Sequence, residues 1–138
     1  MFRRSWVGCV GIAVVGAAAA AGVEIVGLHW LLVSPGGLYI NHPDEGIRKK
    51  TRDYFEALIR CCGDLGGEVM ILGSPKQRNV MEGVTYQQAW DWATEVFRPA
   101  VKLGEQRGVT ICFEPLAPSE TNFVNTAAEG IRFAKQFN

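Results

Sequence analysis

Apolar and polar positions along this chain follow two alternating patterns. Val23–Val33 is an apolar, β-branched stretch that predicts a strand and breaks at Ser34-Pro-Gly-Gly37. From Asp44 to about Leu65, the residues Ile47, Thr51, Tyr54, Leu58, Ile59, Cys62 and Leu65 fall on one stripe at helical spacing, with Asp44 as cap. Gly66-Gly67 ends that helix. Glu68-Val-Met-Ile-Leu-Gly73, short, apolar and bounded by glycines, predicts a buried strand, and Ser74-Pro-Lys-Gln-Arg78 a polar loop. Thr85 and Gln88 have capping-box spacing, in which a hydroxyl and an amide satisfy each other's backbone donors. The helix they open carries Trp90, Ala93, Phe97, Ala100, Val101 and Leu103; Pro99 is expected to kink it and Gly108 to end it. Val109–Phe113 is the third predicted strand. Thr126 and Glu129 form a second capping box, opening a helix with Ile131, Ala134 and Phe137.

Strands without polar alternation, separated by long helices, read as βαβ units of a parallel sheet. The predicted fold class is therefore α/β, with about three strands side by side and helices on one face, since right-handed crossovers dominate. The other sheet face is then left to be covered by a barrel interior or another layer.

The N-terminus departs from this pattern. Met1-Phe-Arg-Arg4 precedes an apolar run from Trp6 to Val23, which imitates a secretory signal. A membrane anchor fits less well, because the run is diluted by four glycines. The favoured expectation is that Ala17–Gly22 ends a helix that feeds the first strand of a cytoplasmic protein. Residues 1–22 are thus read as an apolar N-terminal segment and 23–138 as the α/β domain.

Composition narrows the function classes. With 14 basic and 14 acidic residues the formal net charge is zero, so no electrostatic footprint for nucleic acid is visible. Cys9, Cys61, Cys62 and Cys112 include no C-x-x-C unit and are expected to be small buried hydrophobes rather than a zinc or disulfide framework. Trp90, Trp92, Phe97 and Tyr86 are spaced for packing.

Chemistry concentrates in Glu114-Pro-Leu-Ala-Pro-Ser-Glu120, directly after the third strand. A carboxylate at a strand end can bind a divalent cation or take a proton from carbon. Glu114 could equally cap a helix or pair with a cation, and Glu120 could be a solvated loop charge. His29 closes the first strand pattern beside Trp30, as a ligand or as a satisfied side chain. His42, next to Pro43, reads as a surface or capping residue. Lys76 and Arg78 could bind an anion with the backbone N–H groups of their loop, or merely form a turn. The loop lacks both common phosphate-loop patterns.

Taken in order, Gly27-Leu-His-Trp-Leu-Leu32, Gly66-Gly67 through Gly73-Ser-Pro-Lys-Gln-Arg78, and Val109-Thr-Ile-Cys-Phe-Glu-Pro-Leu116 leading to Glu120-Thr-Asn-Phe-Val-Asn-Thr126 resemble the xylose-isomerase-like barrel superfamily. The likeness is greatest to its sugar phosphate isomerase/epimerase group, which includes ketose 3-epimerases. The resemblance implies a partial (β/α)8 TIM barrel acting on a small sugar or sugar phosphate. It implies Glu114 as a ligand of Mn²⁺ or Mg²⁺ and as one of two acid/base carboxylates, with Glu120 and His29 holding the substrate. The implied chemistry is proton transfer next to a carbonyl through an enediolate. The chain ends 18 residues after Glu120, and the family's remaining ligands, an Asp, a His and a second Glu, come from later strands. Weak or no turnover is therefore expected of the isolated chain. Two alternatives remain: a non-catalytic βα module that completes its sheet with another chain through exposed sheet edges, and an abasic-site endonuclease of the same barrel, against which the neutral charge speaks.

Overall fold

The computed structural model describes residues 5–137, with side chains from residue 13 onward; Met1–Arg4 and the side chain of Cys9 lie outside the described residues. Three strands, β1 (Gly27–His29), β2 (Val69–Leu72) and β3 (Thr110–Phe113), run parallel in the order β1-β2-β3. Helix α1 (Ser5–Ala20) precedes β1, α2 (Glu45–Asp64) links β1 to β2, α3 (Tyr86–Arg107) links β2 to β3, and α4 (Ala127–Ala134) follows. Residues Lys76–Arg78 form a single 3-10 turn after β2. The expected α/β class and side-by-side strand order are found. Among the described residues, no helix is long and apolar enough to cross a membrane.

Element ends follow local chemistry. Asp44 Oδ1 accepts from Ile47 N at the start of α2, and His42 Nδ1 accepts from Asp44 N, so His42 is a capping residue. Both halves of the Thr85–Gln88 and Thr126–Glu129 capping boxes are formed. Gly108 closes α3 in the left-handed region (φ 67°), and the helix continues through Pro99. Gly27 has a different reason to be glycine. A Cβ there would overlap the carbonyl of Val69 on the neighbouring strand.

Register divides the sheet into two faces. Leu28, Met70, Leu72, Ile111 and Phe113 pack into the core under the helices, with Phe55, Ile59, Trp90, Ala93, Phe97 and Phe133. His29, Ile71 and Cys112 form one row across the strands on the opposite, open face. The outer edges of β1 and β3 have no strand beside them among the described residues.

Several expectations are corrected. The first strand is far shorter than Val23–Val33, because Val23 and Val26 are exposed and the backbone turns at Trp30 to bury Leu31 and Leu32. The buried stripe of α2 is Arg48, Thr51, Phe55, Ile59 and Cys62. Arg48 is tolerated inside because its Nη1 donates to the carbonyls of His42 and Pro43, and its guanidinium pairs with Glu95 at 3.2 Å. Phe133, not Ile131 or Ala134, anchors α4 in the core. Cys112 is exposed, since its position in the register places it on the open face, whereas Cys62 is buried. Burial pushes the Cys61 and Cys62 thiols up, which keeps them protonated at neutral pH.

The start of α4 titrates. Burial alone would raise the Glu129 carboxyl, but donation from the Asn125 and Thr126 backbone N–H groups and the Tyr86 and Thr126 hydroxyls outweighs it and leaves the group below its ordinary 4.5. A carboxyl lowered in the folded state contributes stability that is fully present above the unfolded value and is lost as pH falls through the folded one. Melting temperature should therefore drop as pH falls below about 4.5. In Glu129→Gln that acid-side drop should be smaller; an unchanged acid limb would contradict the assignment.

Candidate functional site

The site is built where β2 and β3 open into loops. Backbone pairing continues one residue past β3, with Glu114 N donating to Leu72 O at 3.1 Å. Alternation then puts the half-buried Glu114 side chain on the open face, in line with Cys112. On β2 the residue level with it is Gly73. A Cβ on Gly73 would overlap Glu114 Oε2, so the carboxylate lies in space that only glycine leaves free.

Arg78 supports this residue from inside. It is 1% exposed, its Nη1 donates to the Glu114 carbonyl at 2.6 Å, and its guanidinium lies over the Phe113 ring, 4.9 Å from the centroid. Among the described residues, its Nε and Nη2 have no hydrogen-bond partner. Burial pulls Arg78 down to about 10, opposed by the nearby Glu114 and Glu120 carboxylates and Tyr86, so it remains charged at neutral pH. The backbone carbonyl of Arg78 is fixed in turn by the buried Asn41, whose Nδ2 donates to it at 2.6 Å.

Loops on either side are clamped together. Asn122 Oδ1 accepts from Val80 N while its Nδ2 donates to Val80 O, and Thr121 Oγ1 donates to Asn79 Oδ1. Asn125 Nδ2 donates to the carbonyls of Leu116 and Thr121. Ser74, also buried, accepts from Leu32 N at 3.3 Å and ties the exit of β1 to that of β2. The strand ends thus carry a held rim rather than free loops.

The residues expected at the site fall into two groups. Glu114, Arg78 and Glu120 come together, in that both carboxylates act electrostatically on the Arg78 guanidinium. Arg78 does not face solvent as an open anion ligand would. Glu120 is exposed and accepts from Ala117 N at 3.3 Å, folding back on its own turn. His29 is exposed on the open face, two strands from β3, and Lys76 is exposed at the start of the 3-10 turn. Among the described residues, no three His, Cys, Asp or Glu side chains converge on a metal position. Sequence reasoning missed Ser74, Asn41 and the Asn79–Thr121–Asn122–Asn125 clamp. The clamp had one available signal, short polar side chains recurring between Thr121 and Asn125 among buried neighbours.

A concavity of about 420 Å³ lies between α3, β3 and α4. It is lined by Phe97, Val101, Ile111, Phe133 and Phe137 and is away from Glu114. Its lining is mostly apolar, with Glu105 and Thr110 as its polar side chains.

A parallel sheet with helices on one face and a carboxylate at a strand's C-terminal end defines an arc of a TIM-type barrel, whose chemistry sits at that end of the strands. This chain belongs to the xylose isomerase-like TIM barrel family, whose sequence profile matches residues 11–138. Over 101 residues it is 28% identical to D-psicose 3-epimerase of Ruminiclostridium cellulolyticum, a match covering 70% of this chain and 34% of that enzyme. The chain therefore spans about a third of the length of that curated relative. The crystal structure of D-psicose 3-epimerase with D-tagatose from Clostridium cellulolyticum superposes with TM-score 0.77 at 22% identity, covering 93% of this chain and 44% of that one. D-allulose 3-epimerase from Methylomonas sp. gives 0.79 at 16% identity, covering 93% and 43%. The 3-keto-D-glucoside 4-epimerase of E. coli gives 0.78 at 14% identity, covering 91% and 49%. At these identities the superpositions establish the fold, and the relatives are sugar epimerases.

Proposed function

We propose that this chain carries one half of a sugar epimerase or isomerase site, in which Glu114 moves a carbon-bound proton next to a ketose carbonyl. One observation supports this above the others: the Glu114 carboxylate occupies the space left by Gly73 on the open face, with its backbone held by the buried Arg78. A carboxylate fixed from behind and open in front can reach a substrate proton. Removal of that proton gives an enediolate. Its return at the other carbon isomerises the sugar, and its return on the opposite face epimerises it.

The donor chemistry at Glu114 suits a divalent cation of the Mn²⁺ or Mg²⁺ kind, which prefers oxygen ligands. When bound, such an ion polarises the substrate carbonyl. Glu114 is one ligand of such a set, and the others are not brought to it among the described residues. His29 and Glu120 are assigned to substrate hydroxyls and the carbonyl end, and Lys76 to a phosphate where the sugar carries one.

Solvent deuterium exchange tests the assignment without requiring complete turnover. With Mn²⁺ present, NMR should show slow incorporation of deuterium at the carbon next to the ketose carbonyl, and Glu114→Gln should slow it by roughly 100-fold or more. Exchange at equal rates in both proteins would rule out Glu114 as the base.

A second reading is a βα module that pairs with another chain. It draws on the free outer edges of β1 and β3. Light scattering separates it from the first, since a stable monomer across a wide concentration range speaks against assembly.

A further inference from the structure

Trp30 follows His29 at the C-terminal end of β1 with φ 58°, and its side chain is 67% exposed. Left-handed backbone is unfavourable for a bulky residue and free for glycine. The turn itself has a structural cause. Leu31 and Leu32 drop into the core immediately afterwards, at 4% and 1% exposure, and Leu32 N donates to the buried Ser74 hydroxyl. That cause explains the backbone but not the indole, because glycine would make the same turn without strain. A strained position that nevertheless carries a large, exposed aromatic points to a contact made by the side chain.

The surroundings of the indole narrow what that contact is. The His29 and Trp30 rings lie 6.3 Å apart, inclined at 30°. His29 shares the open face with Ile71 and Cys112, and Glu114 stands one alternation beyond Cys112 on the same face. A flat apolar surface therefore sits beside an imidazole able to donate or accept, on the rim that carries the strand-end carboxylate.

We propose that Trp30 is a stacking platform for the C–H face of a monosaccharide whose hydroxyls bind to His29. This rests on the sugar reading above and adds a residue to it. A monosaccharide matches the pair because it presents carbon-bound hydrogens on one side and hydroxyls around its perimeter. An indole face supplies a large contact area, and the neighbouring ring fixes orientation, the division of labour common in small-molecule sites.

Saturation-transfer NMR on the full chain, with D-fructose and D-psicose as probes, tests the platform. Irradiating aromatic protons should transfer saturation to the sugar C–H protons. Trp30→Gly should weaken binding at least about 10-fold, while Trp30→Phe keeps most of it. Thermal melting supplies the readout that a merely structural role would fail: Trp30→Gly should melt no lower than the parent, because glycine relieves the φ of 58°. Undiminished transfer in Trp30→Gly, a clearly lower melting temperature, or self-association lost in that variant would each overturn the platform. If transfer depends on Trp30 while deuterium exchange ignores Glu114, the platform stands and the reaction assigned to Glu114 falls. The reverse pattern removes Trp30 alone, and no transfer to either sugar in the parent chain removes the platform as well.

Discussion

Phe133→Ala is expected to lower the unfolding free energy by about 3–5 kcal/mol, the range for removing a fully buried aromatic side chain. Phe133 is 1% exposed and meets Trp90 and Phe113 with ring centroids 5.0 Å apart, Phe137 at 5.3 Å and Phe97 at 5.9 Å. Several of these contacts are edge-to-face, which adds to the area they bury. A loss of that size is a large share of the roughly 5–15 kcal/mol that holds an ordinary domain folded. It should also reach the rim. Phe133 is the buried anchor of α4, and the capping box of α4 lies next to Asn125, which ties the Leu116–Thr121 loop. Urea denaturation of Phe133→Ala beside Phe133→Leu measures the effect. A change below about 1 kcal/mol would mean that α4 is not held by this cluster.

The second large effect is functional and leaves stability nearly alone. Gly73→Ala places a methyl group where Glu114 Oε2 lies, and the atom it meets is the far end of a flexible side chain. The carboxylate can swing away, so folding should change by less than about 1 kcal/mol. If Glu114 is the cation ligand proposed above, its position is then lost, and affinity for Mn²⁺ should fall about 10–100-fold, as when a supporting group of a metal site is removed. Calorimetric titration with Mn²⁺ compares the two proteins directly. Equal affinity would show that the vacancy at Gly73 has no part in placing Glu114.

The contrast between Gly73 and Trp30 shows how far the sequence could be read. Helix starts were legible because capping is local: Asp44, Thr85–Gln88 and Thr126–Glu129 each satisfy donors within one turn. The parallel sheet was legible from strands without polar alternation. The resemblance carried by Gly73-Ser-Pro and Glu114-Pro placed the family, and the profile match over residues 11–138 shows it.

What stayed hidden depends on contacts far apart in the chain. Arg78 reads as a loop cation, yet it is buried because Asn41 and the neighbouring Phe113 and Glu114, from two other segments, close around it. Asn79 and Asn122 are separated by 43 positions and meet only once β2 and β3 are side by side. The positive φ of Trp30 follows from burying Leu31 and Leu32, a demand of the core with no local signal. Cys112 looked like a buried hydrophobe because its strand is apolar, but register put it on the open face.

The most direct test of the central claim, that Glu114 at the end of β3 is a cation-binding acid/base, is paramagnetic mapping with Mn²⁺. Amide signals of the full chain should broaden first around Gly73, Glu114 and the facing end of β1, and the effect should be lost in Glu114→Gln. Broadening centred elsewhere, or unchanged in Glu114→Gln, would contradict the claim.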